Sequence, residues 1–460
     1  MIRLVALIGL SGSGKSSLGQ ALAERFSMPF LDTDLLVEER AGMPIRRIFE
    51  LRGEEFFRDL ETRVVREIAE RPAIIATGGG VVLRQENIQA LRQNGFVIFL
   101  DRPVERILEN VRYDKSRPLL SSPEKLREME QERRALYQEA AHATLRNNAD
   151  LEEGVDKLVE LAADVLIEAP SSGYSVIGYP IEHTLSPVIH GTIFDAIGIS
   201  ISSSYSAIRV PRGALRSFTE KARVSGLRGF NVTLPHKRDI IPFLDAVDDE
   251  ARLCGAVNTV VVDGGRLSGF NTDMEGLLAS LRDNGHEYRN RNVVILGAGG
   301  ASRGVVFKAA LEKAAKIVIL SRRREKAEEI ASEVERAVAG CHVRACRLLP
   351  DALAEAAGEA DILINATPMG MIGIGEDFSS LEFLRSLPRD ALVCDLVYDP
   401  PLTNLLREAW ALGHAVQNGL GMLVHQAILA DELFLGRQLD RSSLYQTVYT
   451  KLSNEGLTQQ

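Results

Sequence analysis

A glycine-rich loop that contains a lysine and a serine lies near the start of the chain, at Gly9-Leu-Ser-Gly-Ser-Gly-Lys-Ser16. An apolar run precedes the loop and a helical pattern follows it, which is the context of a phosphate-binding loop. Its glycines allow successive backbone N–H groups to point at phosphate oxygens. Lys15 adds a positive charge, and the hydroxyl of Ser16 can hold Mg²⁺. The loop predicts binding of a nucleoside triphosphate, but it does not identify the phosphate acceptor.

Two carboxylates alternate in the stretch Phe30-Leu-Asp-Thr-Asp34, which reads as the end of a second strand. Sheets of α/β proteins bind ligands at the carboxyl ends of their strands. Asp32 could lie near Mg²⁺, and Asp34 could accept the proton of an attacking hydroxyl group. A solvated strand-to-helix turn is the alternative for this pair alone. Because the guanine signature N-K-x-D is missing from the sequence, the pattern favours a small-molecule kinase over a GTPase.

A second glycine-rich loop, Gly297-Ala-Gly-Gly-Ala-Ser302, follows the apolar run VVIL and precedes a helical pattern. Its glycines allow a pyrophosphate to approach a helix N-terminus closely. The next predicted strand ends in Ser321-Arg-Arg-Arg324, where an NAD-preferring lobe would place an acidic residue. Arginine at this point favours the 2′-phosphate of NADP by charge and geometry. The sequence therefore predicts an NADP(H) site, with a solvated basic turn as the alternative.

Three polar loops precede that second glycine loop, at residues 231–237, 255–259 and 269–273. Their amide, hydroxyl, amine and carboxylate groups suit a polar substrate, although each loop alone could be ordinary turn chemistry. A lysine and an aspartate beside a carbonyl group can manage the proton that accompanies hydride transfer. Lys237 and Asp273 are the candidates for this task. His236, next to Lys237, is interpreted as a loop residue.

The composition limits the partners that this chain can have. Its 460 residues are 45% hydrophobic and 25% charged, which predicts about two to four domains with packed cores. The formal net charge of -9 argues against a nucleic-acid partner. The four cysteines lack zinc-ligand spacing and are typical of thiols in a reducing cytosol. Because no run of about 18 apolar residues occurs, we expect no membrane span and a cytoplasmic location.

Strands that alternate with helical patterns predict an α/β fold throughout. The first part reads as a three-layer α/β domain of the P-loop kinase type with a parallel sheet. It ends in the stretch IEAPSSGYSVIGYP, where two further lobes begin. The predicted bounds are 1–168 for the P-loop domain, 169–173 for a linker, 174–275 for a substrate-binding and catalytic lobe, 276–410 for a Rossmann-type NADP lobe, and 411–460 for C-terminal helices that return to the substrate lobe.

The P-loop part resembles shikimate kinase over nearly all of residues 1–165. The resemblance rests on GSGKSS, FLDTD, GEEFFR, TGGG, RPLL and an R-x-x-L-Y arrangement. It implies that Asp34 and Lys15 are catalytic, and that Ser16 and, through water, Asp32 hold Mg²⁺. The implied ATP-binding residues are Gly12, Ser13, Gly14, Lys15, Ser16, Ser17 and Arg117. The implied shikimate-binding residues are Asp34, Arg58, Gly79, Gly80 and Arg133. The family's basic residue near adenine has no counterpart, because Asn147 and Asn148 stand there.

The second part, about residues 173–450, resembles shikimate dehydrogenase. The resemblance rests on HTLSP, NATPMGM and the three polar loops. It implies that Lys237 and Asp273 are the catalytic pair. The implied shikimate-binding residues are Thr184, Ser186, Thr233, Lys237, Asn258, Asp273, Tyr398 and Gln426. The implied NADP-binding residues are Gly297, Ala298, Gly299, Gly300, Ala301, Ser321, Arg322, Arg323, Val397 and Gly419.

Together the two resemblances imply one chain for two consecutive steps of chorismate and aromatic amino acid biosynthesis. One part would reduce 3-dehydroshikimate with NADPH, and the other would phosphorylate the resulting shikimate with ATP. The alternative is a quinate/shikimate dehydrogenase that carries a regulatory P-loop domain without transfer activity. Partners other than these small molecules are not expected, and the oligomeric state is not predicted.

Overall fold

The computed structural model describes residues 4–111, 123–148, 150–199 and 205–454. The chain divides into two compact units. The first comprises Met1–Ala169 together with Arg209–Lys221, and the second comprises Pro170–Ile208 and Ala222–Gln460. The finer domain bounds given above stay a prediction.

The first unit contains a parallel sheet with the strand order β2-β3-β1-β4-β5. Every residue of β1 and β3 is buried, because helices cover both faces of the sheet and its central strands are apolar throughout. The strands are β1 (Leu4–Ile8), β2 (Phe30–Asp32), β3 (Ala73–Ala76), β4 (Phe96–Asp101) and β5 (Ala143–Arg146). The helices are α1 (Lys15–Phe26), α2 (Thr33–Ala41), α3 (Ile45–Ile68), α4 (Gln85–Asn94), α5 (Val104–Val111), α6 (Pro123–Ala140) and α7 (Leu151–Leu166).

Helix α3 is interrupted at Gly53, whose φ of 78° and ψ of 171° are not helical. The residues after this break form a regular helix that continues to Ile68. A single glycine inside a helical pattern does not by itself indicate such a break.

The second unit begins with a mixed sheet of strand order β7-β6-β8-β10-β11-β9. Strands β6 and β8 are parallel, whereas β10 is antiparallel to both β8 and β11. The strands are β6 (Gly173–Gly178), β7 (Tyr205–Arg209), β8 (Leu227–Val232), β9 (Ala246–Val247), β10 (Thr259–Asp263) and β11 (Arg266–Phe270). The helices in this part of the chain are α8 (Ser186–Ala196), α9 (Leu215–Val224), α10 (Asp249–Cys254) and α11 (Asp273–Asp283).

A parallel sheet of strand order β14-β13-β12-β15-β16-β17 follows. Its strand order reverses direction at β12, as in doubly wound nucleotide-binding folds. The strands are β12 (Asn292–Leu296), β13 (Lys316–Ser321), β14 (Val343–Arg347), β15 (Ile362–Asn365), β16 (Leu392–Asp395) and β17 (Ala415–Gln417). The helices are α12 (Gly300–Leu311), α13 (Arg324–Ala337), α14 (Pro350–Ala357), α15 (Asn404–Ala411), α16 (Leu420–Leu435) and α17 (Arg441–Asn454). The predicted α/β fold class, with a Rossmann-type lobe, is confirmed.

The segment 411–460, predicted as helices alone, begins with strand β17, which pairs with β16. A strand of three residues is too short to show the alternation by which strands are predicted. Helices α16 and α17 then pack on α8, next to the mixed sheet. No helix within the described parts of the chain is long and apolar enough to cross a membrane.

Candidate active sites

The phosphate loop joins β1 to α1. Gly12 and Gly14 have φ of 84° and 96°, a conformation that glycine adopts without strain. Lys15 is the first residue of α1, and its Nζ donates to the carbonyl oxygens of Gly9 and Leu10 at 2.8 and 2.7 Å. The lysine thus lies folded against the loop at a helix N-terminus, where backbone N–H groups favour an anion.

Asp32 and Asp34 lie next to this loop. The hydroxyl of Ser16 donates to Asp32 Oδ2 at 2.7 Å, and the backbone N–H of Asp34 donates to Asp32 Oδ1 at 3.0 Å. Asp32 caps α2, whose first turn contains Asp34. Hydroxyl and carboxylate oxygens are ligands that Mg²⁺ prefers. Ser16 and Asp32 are therefore a chemically suitable pair for that ion.

A glycine turn after β3 is the point at which three charged side chains converge. A Cβ atom added at Gly78 would lie 2.5 Å from Asp34 Oδ1 and 2.9 Å from Glu61 Oε1. One added at Gly80 would overlap the guanidinium group of Arg58. A side chain at either position would therefore displace Asp34, Glu61 or Arg58 from this turn. The structure thus brings Asp34, Arg58 and this turn together in one place.

Arg58 is held by two glutamates that the sequence analysis missed. Its Nη1 donates to Glu61 Oε2 at 2.8 Å, and its Nη2 donates to Glu54 Oε1 at 3.1 Å. Burial raises the pKa of Glu61, against the opposing effect of Arg58. Within the described residues, Glu61 Oε1 accepts no hydrogen bond. Glu61 Oε1 is buried, so the N–H groups of Arg58 that the glutamates leave unused are the ones that can bind a polar substrate.

Arg133 and Tyr137, one turn apart on α6, both donate to the carbonyl oxygen of Gly79. The distances are 3.1 Å from Arg133 Nη1 and 2.5 Å from the Tyr137 hydroxyl. Tyr137 is buried, and this burial raises its pKa to about 12. The hydroxyl therefore stays a donor, and α6 fixes the glycine turn through its backbone. Tyr137 was part of a predicted motif but was given no role.

The remaining residues of the first candidate site have different positions. Arg117 lies outside the described residues. Asp101, the last residue of β4, accepts from Arg134 Nη2 at 2.6 Å. Asn147, which stands where a basic residue near adenine was expected, donates from Nδ2 to the carbonyl oxygen of Ser13 at 2.9 Å. Asn147 therefore supports the phosphate loop, a role that its sequence position did not reveal.

In the second unit, Lys237 and Asp273 are in direct contact, with 2.6 Å between Lys237 Nζ and Asp273 Oδ2. Asn258 Nδ2 donates to the other carboxylate oxygen of Asp273 at 2.9 Å. The same Nδ2 lies 3.3 Å from Gln426 Oε1 on α16. These four predicted residues form one polar cluster, although they come from separate loops and helices.

Thr184 and Ser186 form a second polar group. Their hydroxyl oxygens are 3.2 Å apart, at the N-terminus of α8. The phenol of Tyr205 donates to Asn231 Oδ1 at 2.6 Å, and the nearby hydroxyl of Ser186 opposes the rise in the pKa of this phenol that burial causes. Neither Tyr205 nor the side chain of Asn231 was assigned to the site from the sequence. Asn231 was recognisable in its polar loop, whereas a single tyrosine at the start of a strand has no motif.

Thr233 and Tyr398 complete the predicted substrate set. Thr233 directly follows β8, and its methyl group would be 2.5 Å from a Cβ atom at Gly178. Tyr398 is half-buried against the cluster formed by α8, α16 and α17, and this burial raises its pKa. Thr233 therefore lies next to β8, and Tyr398 lies next to α8 and α16, the helices that carry Ser186 and Gln426.

The second glycine loop joins β12 to α12. Gly297 has a φ of 111°, and the backbone N–H of Gly299 donates to Ser302 Oγ at 3.3 Å. No atom lies within 4 Å of a Cβ added at Gly299 or Gly300, among the described residues. Ala298 and Ala301 belong to the same loop and helix start. The loop thus presents an open helix N-terminus that fits a pyrophosphate.

The basic turn follows β13 at the neighbouring strand end. Ser321 Oγ accepts from the backbone N–H of Arg323 at 3.2 Å, which shapes the turn. Arg322 is exposed, and its Nη1 lies 3.0 Å from Glu376 Oε2. Arg322 and Arg323 thus lie at the strand end of the sheet where a ribose phosphate would bind. The carboxylate of Glu376 competes with that phosphate for Arg322, and the sequence did not reveal this contact.

Val397 and Gly419 meet at the end of the third sheet. The backbone N–H of Gly419 donates to the Val397 carbonyl at 3.1 Å. A Cβ atom at Gly419 would overlap the Leu396 carbonyl oxygen, so no other residue fits there. The N-terminus of α16, the helix that carries Gln426, is therefore fixed to the chain after β16.

Comparisons with protein families agree with these two sites. Residues 11–163 match the family model described as shikimate kinase. Residues 176–260 match the shikimate dehydrogenase substrate binding domain, and residues 279–393 match shikimate / quinate 5-dehydrogenase. Each match falls on one of the sites described above.

Individual relatives match the second part of the chain. The NADP⁺-dependent shikimate dehydrogenase of Methanopyrus kandleri is 41% identical over 279 residues, which are 60% of this chain and 95% of that protein. The same enzyme of Alkaliphilus metalliredigens is 38% identical, over 62% of this chain and all of that protein.

A solved structure gives the same result. Shikimate 5-dehydrogenase of Thermus thermophilus, in complex with NADP(H) and shikimate, is 35% identical with a TM-score of 0.53. The match covers 61% of this chain and 99% of that chain. The predicted resemblance to both families is confirmed. This chain belongs to the shikimate dehydrogenase family, and it carries a shikimate kinase domain ahead of its dehydrogenase domains.

Proposed function

We propose that the chain reduces 3-dehydroshikimate to shikimate with NADPH and phosphorylates shikimate to shikimate 3-phosphate with ATP. The observation that carries the proposal is the contact between Lys237 and Asp273, at 2.6 Å, inside a cluster with Asn258 and Gln426. A phosphate loop with Asp34 and Arg58 in the same chain supplies the second activity. The product of the first reaction is the substrate of the second.

For the reduction, Lys237 is the proton donor. When bound, NADPH supplies the hydride that adds to the ketone carbon. The ammonium group of Lys237 gives a proton to the oxygen that becomes the new hydroxyl, as general acid catalysis requires. Asp273 orients Lys237 through a charge-assisted hydrogen bond, and Asn258 fixes the other oxygen of Asp273. The hydroxyls of Thr184 and Ser186, which are 3.2 Å apart, are proposed to bind the substrate carboxylate.

The NADP(H) site is formed by residues 297–301, by Ser321 with its two following arginines, and by the junction of Val397 and Gly419. The residues fit the group, since an open helix N-terminus suits a pyrophosphate and arginines suit a 2′-phosphate. Arg322 must leave Glu376 to bind that phosphate. Because the Arg322–Glu376 pair is exposed, it is worth about 1 kcal/mol or less and is easily replaced.

For the phosphorylation, Asp34 is the group that accepts the proton of the attacking hydroxyl. Lys15 stabilises the charge of the transferring phosphate, and residues 12–17 hold the phosphate chain through backbone N–H groups. Arg58 and Arg133 can clamp the shikimate carboxylate. The glycine turn at Gly79 and Gly80 lies between these groups. Arg117 is proposed to contact the phosphates.

A Mg²⁺ ion is proposed at Ser16 and Asp32, whose oxygens are 2.7 Å apart. Ser16 would hold the ion directly and Asp32 through water. Mg²⁺ at such a position neutralises phosphate charge during transfer.

The alternative is a quinate/shikimate dehydrogenase that carries a regulatory P-loop domain. Reaction rates with NADPH against NADH, and with shikimate against quinate, test the proposal against it. We expect kcat/KM to be at least about tenfold higher with NADPH than with NADH, because a hydrogen bond to a charged group contributes about 1.5–3 kcal/mol and NADH lacks the 2′-phosphate. We expect shikimate to be preferred to quinate, and ADP to form only when shikimate is added with ATP. Binding of ATP without any shikimate-dependent ADP would support the regulatory alternative instead.

A further inference from the structure

Tyr205 lies between the two polar groups of the dehydrogenase site. It is the first residue of β7, and only 6% of its surface is exposed. Its hydroxyl donates to Asn231 Oδ1 at 2.6 Å, and the nearby hydroxyl of Ser186 opposes the rise in the pKa of the phenol that burial causes. The phenol therefore connects the group of Thr184 and Ser186 with the loop that leads to Lys237.

We infer that Tyr205 is a positioning residue for the dehydrogenase reaction, which holds Asn231 in the orientation that binds the substrate. The inference rests on the proposed function of this site and deepens it. Tyr205 does not itself supply a reacting group. Its role is to fix which way the amide of Asn231 points, next to the hydroxyl of Ser186.

The orientation of Asn231 is passed on to the catalytic pair through buried hydrogen bonds. Because the Asn231 oxygen faces Tyr205, its Nδ2 faces Thr259 Oγ1 at 3.1 Å. Thr259 donates to Asn258 Oδ1 at 2.9 Å, and Asn258 donates to Asp273 at 2.9 Å. Asn231, Asn258 and Thr259 are all buried. A donor missing at Tyr205 would leave a buried amide oxygen without its partner, which is costly.

The ring of Tyr205 is held in place by a stacked histidine. The imidazole of His190 stacks on it with 4.3 Å between ring centroids and 10° between ring planes. His190 Nδ1 lies 2.7 Å from Asp431 Oδ1, and both side chains are buried. His190 is one turn after Ser186 on α8, and Asp431 is on α16 after Gln426. The phenol is thus held by the same two helices that carry substrate-binding side chains.

Tyr174 provides a matched control inside the same apolar cluster. It is 1% exposed and packs with Phe194 and Phe434. Its hydroxyl donates to the carbonyl oxygen of Phe434 at 3.4 Å, which is not part of the site. Tyr174→Phe therefore removes a buried phenol hydroxyl without touching Ser186 or Asn231.

The test compares Tyr205→Phe, Tyr174→Phe and the unaltered full-length chain in both activities. We expect Tyr205→Phe to raise KM for shikimate about tenfold, since a buried acceptor loses its donor, and to change kcat less than about threefold. In titration calorimetry of the full-length chain, the shikimate dissociation constant of one site should rise in parallel, and that of the kinase site should stay unchanged. KM for NADP⁺ and the kinase rate of the same molecules should stay unchanged, and Tyr174→Phe should match the unaltered chain.

A double-mutant cycle with Asn231→Ala approaches the same hydrogen bond from its acceptor. We expect Tyr205→Phe to add less than about twofold to KM in that background, because the acceptor is already gone. Full additivity, an unchanged KM in Tyr205→Phe, or equal losses in Tyr174→Phe and Tyr205→Phe would each overturn the inference. An unaltered chain that neither reduces 3-dehydroshikimate nor binds shikimate would overturn the proposed function and the inference with it.

Discussion

Lys237 and Asp273 are 36 positions apart in the sequence, and the fold joins them at 2.6 Å. Lys237 follows β8, and Asp273 is the first residue of α11. Both strands that lead to these residues, β8 and β11, pair with β10, so the sheet sets their separation. An acid–base pair built on strand and helix ends keeps its geometry better than one built on long loops.

Replacement of Lys237 by alanine should remove the reduction and leave the phosphorylation intact. We expect kcat for 3-dehydroshikimate to fall by about 10²–10⁴, the usual contribution of a general acid. Lys451→Ala, which removes an exposed lysine of α17 in the same unit, is the control and should have no effect. NADPH oxidation and ADP formation are followed in one preparation. Loss of both activities in Lys237→Ala would mean that the variant is misfolded or that the sites are coupled.

Replacement of Tyr137 by phenylalanine should weaken shikimate binding by the kinase domain. The variant loses the donor that holds the Gly79 carbonyl, while Arg133 keeps its own hydrogen bond there. A typical hydrogen bond contributes about 1 kcal/mol, so KM for shikimate should rise about fivefold. KM for ATP and the reduction rate serve as internal controls. An unchanged KM for shikimate would show that the glycine turn does not need this hydrogen bond.

Residues with a motif were predictable, and residues that act through packing were not. Lys237, Asp273, Asn258 and Gln426 were assigned from their polar loops or by resemblance, and the structure places them in one cluster. Tyr205 was missed because an isolated tyrosine in a strand reads as core. Its partner atoms come from α8 and β8, and a contact between such elements depends on tertiary packing rather than on any spacing in the sequence.

At the scale of elements, the crossing of α11 and α16 sets the distance between two residues of the site. Asp273 begins α11, and Gln426 lies in α16. A Cβ atom at Gly276 would lie 2.8 Å from the backbone nitrogen of Gln426. The two helices can approach this closely only because position 276 has no side chain. The close crossing brings Gln426 to Asn258.

Gly276→Ala should therefore damage the site, even though alanine is a better helix former than glycine. The added methyl group must push α16 away, at a cost of about 1–3 kcal/mol in the free energy of unfolding, as overpacked cores show. We also expect a higher KM for shikimate. Gly191→Ala in α8 is the control, because nothing lies within 4 Å of a Cβ atom there. Thermal melting and kinetics that are equal for both variants would contradict this account.

Elements with strong apolar runs were predictable, and short or charged strands were not. The sequence indicated β1, β12 and β13, whose central residues are apolar in succession. Strand β14 has the sequence Val-Arg-Ala-Cys-Arg, and its arginines interrupt the apolar run by which a buried strand is predicted. The hairpin of β10 and β11 was missed despite Asp263-Gly-Gly265, a sequence typical of tight turns. The turn sequence was sufficient to predict this hairpin, whereas no local sequence pattern indicates β17.

At the scale of the whole molecule, two chemistries occupy different parts of one chain. Residues 11–163 match one family, and the matches to the other begin at residue 176. The two candidate sites share no residue. Because the product of the reduction is the substrate of the phosphorylation, a single chain can convert the ketone into the phosphate ester. A substitution that inactivates one site should therefore leave the activity of the other site unchanged.

Lys15→Ala tests this independence from the kinase side. The lysine lies at the phosphate loop, and loss of such an electrostatic group costs about 10²–10³ in kcat. We expect ADP formation to fall by this factor and the reduction rate to stay constant. Lys157→Ala is the matched control, since Lys157 forms an exposed pair with Glu153 on α7. A parallel fall of the reduction rate would show that the two activities depend on each other.

The central claim is that one chain performs both steps in succession, and a coupled assay tests it most directly. The purified protein is given 3-dehydroshikimate, NADPH and ATP, and the products are separated over time. The account predicts that NADPH oxidation, ADP formation and shikimate 3-phosphate rise to equal final amounts. It is contradicted if shikimate accumulates while ATP remains unspent, or if NADPH is not oxidised although the protein is folded.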